Sequence, residues 1–143
     1  MLLPEKAQLL EKIKWATSLN RKIAAMDFPE ALCFLMKEQG MTLELLEEKS
    51  RISVRTLKRL RNDPDYNVTR EHIVALAVGL MLPPIVSSEL MRKAGLEMKN
   101  TIAHNTYRMI LSTMYCCNID EINDFLVSAK LSPLTRQIVA VER

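Results

Sequence analysis

Glycine is scarce, with three residues in 143, and aromatic side chains make up only 5% of the chain. Leucine, methionine and alanine are abundant instead, which is a helix-forming composition. No segment alternates apolar and polar residues with a period of two, so strands are not expected. Cysteine is limited to Cys33, Cys116 and Cys117, an odd count with none of the C-x-x-C spacings of zinc sites. These read as reduced thiols in a reducing compartment. Charges interrupt every apolar segment before about 18 residues, which excludes a membrane-spanning helix. The start MLLPEKAQLLEKIK has no basic region followed by an apolar one, so no secretory signal is expected and a cytoplasmic location is. There is no glycine-rich phosphate loop, no H-E-x-x-H and no G-x-S-x-G, and neighbouring acids such as Glu47 and Glu48 do not face each other on a helix. Catalysis, cofactors and a metal centre are therefore not expected. His72 reads as an edge residue, and His104 with Cys116 and Cys117 lacks a regularly spaced fourth ligand.

What is present fits one globular domain with an appendage: 48% of residues are hydrophobic, 26% charged, and the length suits a single core. Apolar spacing predicts a helix over Pro4–Met26, with Leu9, Ile13 and Ala16 beside Trp15, Leu19, Ile23 and Met26 on a broad apolar face. Its other side is basic, and packing on the core or a second subunit is favoured over lying on a membrane. A second helix spans Asp27–Gln39, with Asp27 as its expected cap, Pro29 in its first turn, Leu32, Leu35 and Met36 inward, and Gly40 at its end. Thr42 and Ser53 are positioned to cap the next two helices, and Thr69 a nearly all-apolar one through Ile73, Leu76, Ala77 and Leu80, widened by Val74, Val78 and Met81. Pro83 and Pro84 stop it. Further helices are expected over Ser87–Ala94, over Thr101–Met114 with Ile102, Met109, Ile110 and Thr113 inward, and after the Asn118/Glu121 capping pair with Ile122, Phe125, Leu126 and Ala129. The expected class is all-α, divided as an N-terminal amphipathic helix (1–26), a central domain (27–95) and a C-terminal helical extension (96–143). Its methionines Met81, Met91, Met98, Met109 and Met114 read mostly as pliable core filler, which also suits a ligand or partner on the C-terminal half.

Charge is concentrated in one place. From Lys49 to Arg61 there are six basic side chains and no acidic one, although the chain is only +3 overall. Leu57 and Leu60, three apart, must face inward. At about 100° per residue, Val54, Arg55, Lys58 and Arg59 then face outward together. A basic helix is most often a solvated surface, so the cluster alone does not specify a partner.

The order of parts narrows the reading. A helix, Gly40, the acidic Thr42-capped helix, a tight turn, the basic Ser53-capped helix and a polar loop precede the apolar helix ending in proline. This layout over Phe28–Pro84 resembles the lambda-repressor-like, XRE-type helix-turn-helix family, with MTLELLEEKSRISVRTLKRLRND similar to its central motif. Thr42, Glu44, Leu46, Ser50, Ile52, Ser53, Thr56, Leu57 and Leu60 stand where that family places cap, core and turn residues. Three positions depart from it: Glu47 where a small residue is usual, Arg51 where glycine is usual, and Leu43 where relatives often have a backbone-touching glutamine. The resemblance implies a lambda-repressor-like bundle with an N-terminal helix and a C-terminal extension, binding double-stranded DNA as a homodimeric transcriptional regulator. It implies that Val54, Arg55, Lys58 and Arg59 face base edges in the major groove, where a guanidinium matches O6 and N7 of guanine. It further implies that Thr42, Arg51, Ser53, Arg61, Asn62, Asn67 and Arg70 position the phosphates. No aromatic residue is expected on this face. The alternative is a protein-interaction module that keeps the same shape without reading DNA.

Overall fold

The computed structural model describes residues 3–135; residues 136–143, for which the sequence gives no element, lie outside the described residues. The helices are α1 (Pro4–Ile23), α2 (Phe28–Glu38), α3 (Leu43–Ser50), α4 (Val54–Asn62), α5 (Arg70–Leu80), α6 (Pro84–Lys93), α7 (Ile102–Met109) and α8 (Ile119–Ser128). A π-helical segment, Ile110–Met114, prolongs α7. There is no strand among the described residues, so the protein is all-α.

Polar caps fix where these helices begin. Asp27, Thr42, Ser53, Thr69 and Asn118 each accept a backbone N–H from the third residue onward, at 2.8–3.1 Å, satisfying donors that a helix start leaves unpaired. At Asp27 and Asn118 a glutamate, and at Thr69 the imidazole of His72, reaches back to the cap's own N–H.

The core is organised around α5, where every position from Ile73 to Leu80 is buried. Helix α3 packs directly on it. The approach is close because residue 79 has no side chain: a Cβ there would stand 3.0 Å from Leu46 Cδ1 and from Ser50 Cβ. Helix α4 packs on α2 and α3 through Leu57 and Leu60. The buried cluster runs from Leu19 in α1 to Leu134 beyond α8. The end of α1 is held by Lys93, whose ammonium donates to the carbonyls of Ala24 (3.2 Å) and Met26 (2.6 Å) and pairs with Glu89 at 3.4 Å. A cation at a helix C-terminus meets orphan carbonyls and the negative end of the dipole.

Several details differ from the sequence reading. Helix α1 stops at Ile23, and Leu9, Ile13 and Trp15 on its expected apolar face are exposed at 40–58%. The stripe that buries Ala16, Leu19 and Ile23 continues toward the N-terminus, but no core lies beneath it there. Helix α6 begins at Pro84 rather than Ser87, with Pro83 as its cap; proline needs no N–H in a first helical turn. Met81 is not part of the α5 face: it takes a left-handed conformation (φ 53°) that ends the helix, and is 52% exposed. Along α7, Ile102 and Met109 are exposed and so is Thr113, and Ile110 alone of the expected inward set is buried. Tyr107 turns inward instead, its hydroxyl donating to Glu71 at 2.9 Å. Ile102 and Met109, in the regular helix, stand about 80–100° round from Ile110, and only Thr113 falls in the π turn, which breaks the 3.6-residue period. In α8, Ile122 and Leu126 are buried, whereas Phe125 and Ala129 are exposed and Asn123 faces in.

Candidate functional site

The basic helix is set by the three-residue connection Arg51–Ser53 between α3 and α4. Ser50, fully buried, donates its hydroxyl to Leu46 O (2.7 Å) and accepts the N–H of Ile52 (3.1 Å). Ile52 is buried beneath the turn at 4% exposure. Arg51 is left-handed, with φ 62°, a conformation that costs a non-glycine residue about 1–2 kcal/mol.

The outer face of α4 carries Arg55, Lys58 and Arg59, all exposed, with Val54 half-buried at its leading end. Arg55 and Lys58 form no ion pair among the described residues. Arg59 is engaged: its guanidinium carbon lies 4.7 Å from the ring centroid of Tyr66, within cation–π range. An aromatic residue therefore does border this face, contrary to expectation. Tyr66 is held there by a local turn in which its N–H donates to Asp63 O (3.1 Å) and Asp65 N–H donates to Asp63 Oδ1 (3.0 Å).

The residues expected to position phosphates fall into two groups. Asn62 and Asn67 are exposed and Arg61 half-buried, flanking the end of α4, while Thr42 and Ser53 use their oxygens as caps. Ser53 also donates to Thr56 Oγ1 at 3.0 Å. The other two are occupied within the chain. Arg70 Nε donates to Glu97 O at 2.7 Å. Arg51 makes a two-point contact with Asp120 at the start of α8, Nε to Oδ1 at 3.2 Å and Nη2 to Oδ2 at 2.9 Å. The hydrogen bond from Arg51 holds the Asp120 carboxyl below its ordinary pKa and the guanidinium correspondingly above.

The other departures from the expected pattern also have physical accounts. Glu47 extends toward α4, where its Oε2 accepts the N–H of Val54 at 3.3 Å, placing a carboxylate at the positive end of the basic helix. Leu43 packs, partly buried, against the core.

No family model, no curated protein and no solved structure matches this chain. Among the described residues no three of His, Cys, Asp and Glu come together as metal ligands. His104 Nδ1 accepts the N–H of Lys99 at 2.9 Å and its ring stacks on Tyr107; Cys116 is exposed and Cys117 half-buried. No helix among the described residues is long and apolar enough to cross a membrane. Sequence reasoning missed Tyr66 and Asp120. Tyr66 follows Arg59 by one polar loop and was detectable in principle, whereas Asp120 lies 69 residues from Arg51 and no local pattern marks it.

Proposed function

We propose that this protein is a lambda-repressor-like helix-turn-helix regulator that binds double-stranded DNA sequence-specifically, as a homodimer, with α4 in the major groove. The observation that carries the reading is the face of α4: Leu57 and Leu60 are buried while Arg55, Lys58 and Arg59 stand exposed together. Four like-charged side chains, counting Arg61, crowd two helical turns and weaken the helix in isolation. A polyanion offsets that cost. Arg55 and Lys58 read base edges; Arg59, braced on Tyr66, presents its fork in a restricted orientation; Arg61, Asn62 and Asn67 meet the backbone. Titration of binding to random duplex DNA against salt tests the proposal. Affinity should fall with a log–log slope near −0.9 per phosphate contact, and no measurable affinity at low salt would refute it.

A second reading, a protein-interaction module of the same shape, is favoured by two contacts. Glu47 places a carboxylate at the start of α4 and Asp120 ties down Arg51, so part of the positive surface is neutralised within the chain. Binding of an acidic polypeptide with no response to duplex DNA would select this reading.

A further inference from the structure

We propose that the exposed apolar half of α1, with the groove beside it, is the surface through which two copies of this chain pair. This deepens the homodimer of the reading above. Leu9, Leu10 and Ile13 are 39–58% exposed, and at 100° per residue they fall within one arc of the helix, with Lys6 inside it; Leu3, also exposed, stands just ahead of the first turn. Next to that arc lies an apolar groove of about 330 Å³, walled by Leu9, Ile13 and Ala16 on one side and by Pro83, Pro84 and Ile85 on the other, with Tyr115 at its edge. Ile85 is itself 47% exposed. The ridge and the groove belong to one continuous surface, so a two-fold contact, in which each copy offers the same patch, buries both at once.

Charge selects among occupants. Over the exposed half, residues 4–16, Lys6, Lys12 and Lys14 stand against Glu5 and Glu11, a net of one positive charge. The remaining two basic residues of α1, Arg21 and Lys22, lie on its far half, the part that packs on the body. An anionic lipid surface is held by clusters of about four to eight basic residues, and an acidic partner needs a similar excess. A second copy of this helix needs none, because both signs are present on each. Area agrees. Thirteen helical residues form a rod about 20 Å long and 10 Å across, which offers roughly 300 Å² over half its circumference. With the groove wall the contact reaches roughly 800 Å² over both copies, the size of a weak, transient association. The pairing is therefore reversible.

Sedimentation equilibrium of the full chain without DNA tests this. The wild type should show a monomer–dimer equilibrium in the micromolar range, and Ile13→Glu and Leu10→Glu should each weaken it at least about tenfold while keeping the wild-type circular dichroism and melting curve. Phe125→Glu, on the separate apolar patch between α7 and α8, should dimerise as the wild type does. A wild type that stays monomeric about a hundredfold above a micromolar concentration overturns the proposal. Dimers lost with Phe125→Glu and kept with Ile13→Glu also overturn it, as does a monomer that floats with phosphatidylserine vesicles. Because DNA is absent, an α1-dependent dimer that fails to bind duplex DNA would leave this interface standing and remove the DNA reading.

Discussion

Replacing Lys93 with methionine should destabilise the protein by about 2–3 kcal/mol. The side chain is only 4% exposed, so its stem already lies in apolar surroundings and methionine occupies much the same volume. What is lost is the ammonium with its bonds to Ala24 O and Met26 O. A hydrogen bond involving a charged group contributes about 1.5–3 kcal/mol. The short contact to Met26 is half-buried and counts nearly in full, whereas the bond to Ala24 is exposed to water and counts for less. Glu89 keeps Arg92 as a partner, so its carboxylate is not stranded. Relief of the ammonium's desolvation offsets part of the loss. At an unfolding entropy of about 2.1 cal/mol/K per residue, a 143-residue chain should melt roughly 7–10 °C lower. Urea unfolding should show a lower midpoint at unchanged slope, and hydrogen exchange should quicken first at the end of α1. A loss below about 0.5 kcal/mol, the range of neutral surface changes, would refute the view that this lysine holds α1 to the body.

Three further outcomes are expected. Gly79→Ala gains about 1 kcal/mol of helix propensity but drives a methyl against Ser50 Cβ at 3.0 Å and Ser50 N at 3.3 Å. Overpacking of this kind costs about 1–3 kcal/mol, so thermal unfolding should show a net loss. In duplex selection experiments Arg55→Ala should relax preference at one base position, while Arg61→Ala should weaken all sequences alike and flatten the salt slope by about 0.9; equal effects of the two would sink that division of roles. Burial lowers the pKa of His72 below its ordinary 6.5, and its Nδ1 accepts a hydrogen bond only when unprotonated. The unfolded chain therefore binds this proton more readily, and stability should drop as pH falls from about 7 through 6.5 toward the depressed value, by no more than about 1.4 kcal/mol per pH unit. His72→Gln should show a smaller drop between pH 7.5 and 5.5 by urea titration.

Local chemistry was readable and distant pairing was not. The caps at Asp27, Thr42, Ser53, Thr69 and Asn118 follow from side-chain oxygens that compete for backbone donors, and that competition is settled within four residues. The inward placement of Leu57 and Leu60 follows from helical period alone. The same period was read on the wrong face along α7, where Tyr107 rather than Ile102 and Met109 found a partner in α5, and a π turn after it left Thr113 outside. The period also failed along the first half of α1, because a period says which side chains share a face and not whether anything lies under it. At the candidate site the outward placement of Arg55, Lys58 and Arg59 was legible, whereas Val54, expected with them, is half-buried; the engagement of Arg51 and the aromatic support of Arg59 depend on residues brought in by tertiary folding.

The contact between Arg51 and Asp120 also bears on how the chain is made. Synthesis proceeds at about 5–20 residues per second, so the 69 residues that separate the pair take roughly 3–14 s to add. Helices α1 to α6 can gather around α5 during that interval. The left-handed turn ahead of α4 must then hold on Ser50, Ile52 and the bond from Val54 N–H to Glu47 until α8 emerges. Chains arrested before Asp120 would carry the basic helix on an unlatched turn, and pulse proteolysis of such nascent chains would report when the turn closes.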